Sequence, residues 1–339
     1  MLTDYLTIIV VTYNSMEIFP EFIFSLIISL KKEECTILVI DNNSEDNIEK
    51  FLKKNYPKVK FLKSSKNEGY GAGINRGIAV AKTPYVVIMN PDVIVKEGGF
   101  TKLVNFLKEN PTAAGVSGAL YHFKKFDKKS NFDELIQKNK IAVNLRYLKL
   151  IYRVLYYSGV KTRFRKLNFL SPWSLVPALD SIPVARLNGS FGVFRKNALI
   201  EVNMFDSRLF LYFEEDDISL RLIKAGYKLY VTNRTVIIHS PGKGSSQSRG
   251  SMVDKILLNS QYLFFKKHYG LIYAWISFFS IWSILTAVAI YQLIYNRKGS
   301  KKTISLWKWH FESLLKGGGL PKGTIPNGGK EGVNYNWAH

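Results

Sequence analysis

Carboxylates and amides stand directly after two apolar runs of the chain. Asp41 follows the run Thr36–Ile40, and Asn90 and Asp92 follow the run Tyr85–Met89. Asp41 can accept a hydrogen bond from a nucleotide base or a ribose hydroxyl, with a helix N-cap or a turn as the structural alternative. Asp92 offers the oxygen ligand that Mg²⁺ or Mn²⁺ takes beside substrate phosphates, and Asn90 can reach a ribose hydroxyl. The structural alternative for this pair is a type I turn, which Asn-Pro-Asp favours.

Four successive carboxylates form the densest acidic cluster of the sequence: Glu214, Glu215, Asp216 and Asp217. Such crowding raises the pKa of at least one member, which suits a general base that works near neutral pH. The alternative is the acidic first turn of a helix, where negative charge meets the positive end of the helix dipole. His239 follows the predicted strand Thr235–Ile238 and is interpreted as a structural residue or as a metal ligand.

A glycine-rich segment follows the third apolar run, with Gly69, Gly71, Gly73 and Gly77. Its G-x-G-x-G spacing differs from the dinucleotide fingerprint, and it lacks the Gly-Lys-Ser/Thr of a Walker loop. Glycine allows the backbone to approach a flat ligand closely, and Asn67, Asn75 and Arg76 supply polar side chains. The segment is therefore expected to face a ligand.

These residues need a scaffold that brings distant segments together, and the apolar pattern predicts one. Short runs rich in Ile and Val alternate with segments of helical period. The predicted strands are Leu6–Thr12, Thr36–Ile40, Val59–Lys63 and Tyr85–Met89. The predicted helices are Ser15–Leu30, Ser44–Asn55 with Ser44 as a possible N-cap, Gly73–Lys82 and Gly98–Asn110. This alternation predicts an α/β fold with a mostly parallel, Rossmann-like sheet, helices on both faces, and ligands beyond the carboxyl ends of the strands.

Six stretches together resemble glycosyltransferase family 2, whose catalytic domains have the GT-A fold. They occur in the family's order and cover most of residues 5–240. The stretches are Val10–Ser15, Ile40–Ser44, Asn67–Gly77, Met89–Val93, Leu187–Arg195 and Phe205–Tyr227. Within the family the chain particularly resembles the bacterial rhamnosyltransferases and galactofuranosyltransferases that make surface polysaccharides such as O-antigen and capsule.

The resemblance implies a role for each matching residue of the donor site. Asp41 would bind the pyrimidine base of the nucleotide sugar. The other residues of this nucleotide-sugar site would be Thr12, Asn14, Asn43, Asn67, Asn75 and Asn90. Asp92 stands where the family has its Asp-x-Asp metal motif, and His239 matches the family's late metal-ligand histidine. The implied cofactor is Mg²⁺ or Mn²⁺.

The resemblance also implies the reaction, which is a single inverting displacement at the anomeric carbon. The catalytic base would be Glu215, where the family has Asp, and Asp216 and Asp217 are alternatives because Glu has a longer arm. The expected donor is dTDP-L-rhamnose, with UDP-galactofuranose or another UDP-hexose as the alternative. The expected acceptor is a lipid-diphosphate-linked glycan. The sequence predicts no oligomeric state.

The net charge of +22 over 339 residues is concentrated in two segments. Residues 122–170 carry 13 Lys and Arg against 3 Asp and Glu, and residues 296–339 carry 8 against 2. Such segments favour nucleic acid, anionic lipid or a phosphorylated substrate. A nucleic-acid-binding protein is disfavoured because the charge avoids the strand ends and no reader motif occurs. A nucleotidyltransferase is a further alternative, but it gives no reason for the acidic cluster.

The run Leu271–Tyr295 contains no formal charge and is long enough for the ~30 Å hydrocarbon core of a bilayer. A single span would place the basic residues after it across the membrane from the catalytic domain, against the positive-inside tendency. The following segment has one apolar face, which predicts a helix that lies in the membrane interface. The residues of this face are Ile304, Trp307, Phe311, Leu314 and Leu315. We therefore expect an enzyme on the cytoplasmic face of the membrane, with Leu271–Tyr295 dipping into or lying in the inner, anionic leaflet. A buried core helix is the alternative.

The expected organisation has three parts. Residues 1–240 form the GT-A catalytic domain, with a basic, membrane-facing insertion at about 122–183. Residues 241–316 form a helical, membrane-associated region, and residues 317–339 form a disordered tail rich in Gly, Pro and Lys. The single cysteine, Cys35, excludes an intramolecular disulfide and a Cys-rich zinc site.

Overall fold

The computed structural model describes residues 5–31, 33, 35–122, 141–144, 173–176, 180–239, 251–294 and 300–315. Two compact units are present within these residues. The sheet unit contains the described residues up to Ser207 and those from Glu214 to His239. The helical unit contains Arg208–Phe213 and the described residues from Ser251 onward.

The elements alternate between strand and helix in the first third of the chain. In the described residues the strands are β1 (Leu6–Thr12), β2 (Thr36–Asp41), β3 (Lys60–Lys63), β4 (Tyr85–Met89), β5 (Val93–Val95), β6 (Ala113–His122), β7 (Ile141–Asn144), β8 (Trp173–Val176), β9 (Ser181–Pro183), β10 (Phe191–Arg195) and β11 (Lys228–His239). The helices are α1 (Phe19–Leu30), α2 (Ile48–Asn55), α3 (Tyr70–Val80), α4 (Gly99–Glu109), α5 (Lys196–Glu201), α6 (Glu214–Lys224), α7 (Ser251–Tyr269), α8 (Leu271–Ile294) and α9 (Ser300–Leu315).

Nine of these strands form one mixed sheet in the order β3-β2-β1-β4-β10-β6-β11-β5, with β9 paired to β11. The strands β3, β2, β1 and β4 run parallel to one another, as the sequence predicts. The strand β10 runs antiparallel to both β4 and β6. The predicted α/β class is therefore confirmed, and the sheet is parallel in its first half and mixed in its second.

The buried strand β1 shows why its sequence is apolar without alternation. Leu6, Ile8 and Val10 face one hydrophobic cluster, and Ile9 and Val11 face the other. Helices cover both faces of the sheet, so both sets of side chains are buried. The carboxyl end of β1 lies beside that of β2, where Thr12 pairs with Asp41. The register therefore places the polar residues after these strands at one edge.

The glycines of α3 allow this helix to lie close to the sheet. A Cβ added at Gly77 would stand 2.5 Å from Cγ2 of Ile9, and one at Gly73 would stand 2.8 Å from Cγ1 of Val11. Real side chains do not tolerate such distances, so these glycines serve helix–sheet packing. The expectation that they face a flat ligand is wrong for these two positions, because protein atoms occupy that space.

Two local predictions also differ from the structure. The helix α2 begins at Ile48 with Asn47 as its N-cap, because Asn47 accepts a hydrogen bond from the Lys50 amide. Ser44, the predicted N-cap, bonds instead to Asp41. The region 122–183, whose sequence shows no strand pattern, contains β7, β8 and β9 in its described part.

The helical unit is held together by aromatic and polar contacts among its three helices. The indole rings of Trp282 on α8 and Trp307 on α9 stack with centroids 5.5 Å apart, and the Trp307 Nε1–H donates to Thr286 Oγ1 at 2.8 Å. Gln261 on α7 donates to Ser277 Oγ on α8 at 2.9 Å. A small apolar cluster completes this core and consists of Leu258, Ile281, Leu285 and Trp309.

One helix of the described part, α8, is long and apolar enough to cross a membrane by length and composition. Only 29% of its most apolar window is buried, so α8 is not the core helix that the alternative expectation requires. Its large exposed side chains are Leu271, Ile272, Tyr273, Trp275, Ile276, Phe279, Ile290, Leu293 and Ile294. The boundary predicted at residue 240 stays a prediction. The tail 317–339, most of the insertion 122–183, and the side chains of Leu314 and Leu315 lie outside the described residues.

Candidate active site

The ends of β1 and β2 form a hydrogen-bonded pocket around Asp41, whose side chain is 2% exposed. Its Oδ1 accepts from the Ser44 hydroxyl and from Thr12 Oγ1, the latter at 3.3 Å. Its Oδ2 accepts from the Ser44 amide at 3.0 Å, and Lys63 Nζ lies 4.0 Å away. These contacts fix the plane of the carboxylate, because each oxygen is held from a different direction.

Two asparagines shape the loops at this edge through left-handed backbone conformations. Asn14 has φ 47° and Asn43 has φ 62°, which Asn tolerates better than most residues. The Asn14 amide donates to Ser44 Oγ at 2.9 Å, and Asn14 Oδ1 accepts from the Glu45 amide at 2.9 Å. The loop after β1 is thereby bonded to the loop after β2.

The start of α3 is held by amides from two directions. Asn67 Oδ1 accepts from the Gly69 amide at 3.0 Å, and Asn42 Nδ2 donates to the Gly69 carbonyl at 2.8 Å. Burial raises the pKa of the Tyr13 hydroxyl, and its hydrogen bond with Asn67 partly offsets that effect. Asn67 therefore lies at the same edge as the pocket of Asp41.

Asn75 makes its contacts farther along α3. Its Nδ2 donates to the Phe205 carbonyl at 2.7 Å, and its Oδ1 accepts from the Phe205 amide at 2.9 Å. The side chain therefore holds the segment that leads towards α6. Its assignment to the nucleotide site stays a prediction.

The residues after β4 lie beside the end of β11. The Asn90 amide donates to the Ser190 carbonyl at 2.9 Å. The strand β5 pairs with β11 so that Val93 is opposite His239. This register places Asp92 Oδ1 at 3.3 Å from His239 Nε2, with the Asp92 side chain 8% exposed.

Asp92 and His239 fit a divalent cation that takes its other ligands from substrate. Asp92 Oδ1 is buried and accepts no hydrogen bond within the described residues. A carboxylate oxygen beside an imidazole nitrogen is a ligand pair that Mn²⁺ accepts and Mg²⁺ accepts less readily. No group of three or more His, Cys, Asp or Glu able to hold a metal occurs in the part of the chain that the structure describes. The chain thus offers two side chains at this position that could bind a cation.

The four acids of α6 have different surroundings. Glu214 is 4% exposed, and burial followed by the charge of Glu215 raises its pKa well above the ordinary value. Asp217 is fully buried, and its Oδ2 accepts from Arg221 Nε at 2.9 Å and Nη2 at 2.6 Å. The Arg221 guanidinium also donates to the Val202 carbonyl. Asp217 is therefore part of an internal ion pair.

Glu215 and Asp216 both form ion pairs with Arg186. Arg186 Nη1 lies 2.6 Å from Glu215 Oε1 and 3.1 Å from Asp216 Oδ2. The Glu215 side chain is 21% exposed and that of Asp216 is 14% exposed. Glu215 is thus the most accessible of the four acids. Sequence reasoning missed Arg186, because it lies 29 residues before Glu215 and belongs to no charged cluster.

Tyr70 lies near Asp92 and near the acids of α6. Its hydroxyl donates to the Gly189 carbonyl at 3.0 Å. Burial raises the pKa of this hydroxyl well above its ordinary value, and the charges of Glu214, Asp92 and Glu215 add to the effect. The first turn of α3 therefore lies within electrostatic reach of both acidic groups. A cavity of about 10 Å³ beside Tyr70 has room for a single water at most.

The comparisons with known proteins agree with this arrangement. Residues 7–168 match the model of the family described as "Glycosyl transferase family 2". A relative from Mycobacterium tuberculosis (strain CDC 1551 / Oshkosh) is 27% identical over 255 residues, which are 70% of this chain and 77% of the relative. That relative is named N-acetylglucosaminyl-diphospho-decaprenol L-rhamnosyltransferase. The chain is therefore a glycosyltransferase, and residues 7–168 resemble family 2.

Two further comparisons cover smaller parts of the proteins concerned. This glycosyltransferase is 24% identical over 227 residues to the poly-beta-1,6-N-acetyl-D-glucosamine synthase of Staphylococcus aureus (strain COL), and spans 47% of that protein. A crystal structure of GalNAc-T7 with UDP, GalNAc and Mn2+ matches with a TM-score of 0.56 and 14% identity. The match covers 92% of this chain and 56% of that one, and it supports the predicted fold.

Proposed function

We propose that this glycosyltransferase moves a sugar from a nucleoside diphosphate donor to a lipid-diphosphate-linked glycan, with inversion at the anomeric carbon. The proposed donor is dTDP-L-rhamnose, and the alternative is UDP-galactofuranose or another UDP-hexose. Two observations together carry the proposal: Asp92 Oδ1 lies 3.3 Å from His239 Nε2, and Tyr70 lines one cavity with Glu214 and Glu215. The rhamnosyltransferase named above, which acts on a lipid-linked substrate, supports the choice of substrates.

The donor base is proposed to bind at Asp41. Thymine and uracil each have an N–H group that can donate a hydrogen bond to a carboxylate. A purine base has a different shape and a different pattern of hydrogen-bond donors. The contacts of Ser44 and Thr12 hold this carboxylate before the donor arrives, so little conformational freedom is lost on binding. Asn14, Asn43, Asn67 and Asn90 are proposed to surround the nucleotide sugar.

Asp92 and His239 are proposed to hold Mg²⁺ or Mn²⁺ together with the donor diphosphate. The buried, unbonded Oδ1 of Asp92 beside the imidazole supports this assignment. A cation bound there supplies Lewis-acid stabilisation of the departing diphosphate.

Glu215 is proposed as the catalytic base. It accepts the proton of the acceptor hydroxyl while the hydroxyl oxygen bonds to the anomeric carbon and the bond from that carbon to the diphosphate oxygen breaks. Its accessibility supports it over Asp217, which is fully buried and ion-paired with Arg221. Glu214 is a poorer candidate because its side chain is only 4% exposed.

The helical unit is proposed to bind the cytoplasmic face of the membrane, where a lipid-linked acceptor is located. The exposed apolar side chains of α8 support this location, since water does not favour such a surface. The basic segments of the sequence suit anionic lipid headgroups.

A transfer assay tests this proposal. The full-length protein is incubated with an N-acetylglucosaminyl-diphospho-polyprenol and, in separate reactions, with dTDP-L-rhamnose, UDP-galactofuranose, UDP-glucose or GDP-mannose. Mass spectrometry of the lipid fraction is expected to show addition of one deoxyhexose with dTDP-L-rhamnose. Addition of a hexose with a UDP-sugar would select the alternative donor. Transfer from GDP-mannose alone, or to free sugars alone, would contradict the proposal.

A further inference from the structure

The loop between β9 and β10 places one arginine against the proposed base. Arg186 Nη1 bonds to Glu215 Oε1 at 2.6 Å and to Asp216 Oδ2 at 3.1 Å. Its side chain is 15% exposed, so solvent screens these contacts only in part. Because one nitrogen bonds to both carboxylates, the position of each acid depends on Arg186.

The charges around Glu215 come from several elements. Glu214, Asp216 and Asp217 share its helix, and Tyr70 faces it from α3. Asp217 is paired with Arg221, so the positive charge of Arg221 is committed to another carboxylate. Burial and the charge of Glu215 raise the pKa of Glu214, and the charge of Arg186 opposes that effect.

We propose that Arg186 is a positioning residue, which fixes the Glu215 carboxylate for the acceptor hydroxyl and places a positive charge beside it. This inference rests on the proposed function, in which Glu215 is the base. Arg186 bonds to Oε1 and thereby sets the rotation of the carboxylate group. An arginine suits this task because its planar guanidinium has a fixed geometry and stays charged at all working pH values.

The positioning role has two consequences that a merely structural contact lacks. Loss of Arg186 removes a positive charge that lies 2.6 Å from Glu215 Oε1, so the pH at which activity rises should move upward. A misplaced base also lowers the rate of the chemical step, so kcat should fall by about 10- to 100-fold. The affinity for the donor should stay within about twofold, since Asp41 and its partners are unchanged.

The test compares Arg186→Gln, Arg186→Lys and the control Arg234→Gln in the full-length protein. Arg234 also pairs with two acids, Glu109 and Asp180, but these lie outside the proposed site. For each variant, kcat and KM are measured from pH 5 to pH 9, and donor affinity is measured by calorimetry. Arg186→Gln should have a lower kcat than the wild type, and its activity should rise at a higher pH. Arg186→Lys should restore the pH limb but only part of kcat, and Arg234→Gln should match the wild type.

The outcomes distinguish this inference from the proposed function. If the wild type transfers sugar and Arg186→Gln keeps its kcat and pH limb, the positioning role is wrong while the proposed function stands. If Arg186→Gln loses both donor affinity and activity while the pH at which activity rises stays the same, Arg186 is a structural residue only. A wild type that transfers no sugar overturns the proposed function and this role with it.

Discussion

The side-chain amide of Asn75 bonds to both backbone polar groups of Phe205, which is 130 residues away in the sequence. This pair joins the middle of α3 to the segment that leads towards α6. The first turn of α3 also contacts the loop before β10 through Tyr70 and Gly189. One helix thus connects the proposed donor side of the site to the segments around the acids of α6.

The first prediction concerns this connection. Asn75→Ala should lower the free energy of unfolding by about 1–3 kcal/mol, because the amide and carbonyl of Phe205 lose their partners in a part-buried place. Urea denaturation measures the change, and Asn55→Ala, which removes a solvent-exposed amide on α2, is the matched control. A variant that keeps its stability but loses donor affinity would instead assign Asn75 to nucleotide binding.

The second prediction follows from the raised pKa of Glu214. Burial, together with the charge of Glu215, keeps Glu214 protonated in the folded state above the ordinary value of 4.5. The folded state therefore binds more protons than the unfolded chain, so stability is lost as pH rises from about 4.5 towards the folded-state pKa. Glu214→Gln should be more stable than the wild type at pH 8, and this advantage should vanish below pH 4.5.

Urea denaturation of both proteins across pH 4–8 checks this sign. Glu49→Gln, which removes an exposed carboxylate paired with Lys53, serves as the control and should show little pH-dependent difference. A stability difference between Glu214→Gln and the wild type that stays constant across this range would contradict the prediction.

The third prediction concerns the proposed metal ligands. Asp92→Ala should abolish transfer and weaken the binding of Mn²⁺ in the presence of dTDP by at least about 10-fold. Removing a residue that only hydrogen-bonds to a metal ligand already weakens metal binding by that factor. Electron paramagnetic resonance measures free Mn²⁺ directly, without reference to activity. Asp180→Ala removes an exposed carboxylate and should leave Mn²⁺ binding unchanged. Full activity of the wild type in excess chelator would exclude a metal requirement.

The fourth prediction concerns the exposed face of α8. Replacing Ile272, Ile276 and Phe279 together with Ser should weaken binding to phosphatidylglycerol vesicles by about 100-fold or more, given ~1.5–3 kcal/mol for each buried apolar side chain. Flotation of the full-length protein with vesicles measures the bound fraction. The control replaces Phe24, Ile28 and Ile200, which are exposed apolar residues of the sheet unit. Equal losses in both triple variants would contradict the assignment of α8.

The sequence predicted the fold where a segment carries its own signal. The strand β1 is apolar throughout because both of its faces are buried, and its predicted bounds match the structure. The predicted start of α2 is wrong because Ser44 has two possible partners. Its hydroxyl bonds to Asp41 instead of capping the helix. The antiparallel direction of β10 was not predicted, since a short apolar run has no direction of its own.

The candidate site was predicted in the same uneven way. Asp41 and Asp92 stand at strand ends, so the carboxyl-end rule places them at one edge of the sheet. The roles of Asn75 and Arg186 depend on partners that are far away in the chain, and no local pattern encodes such contacts. Most of what the sequence missed therefore lies in contacts between elements.

The most direct test of the central claim is the transfer rate of Glu215→Gln. The amide keeps the size of the side chain but cannot accept the acceptor's proton, so kcat should fall by about 10²–10⁴-fold. Donor affinity, measured by calorimetry on the same sample, should stay within about twofold of the wild type. A Glu215→Gln protein with full activity, alongside an inactive Asp216→Asn or Asp217→Asn protein, would contradict the assignment of Glu215 as the base.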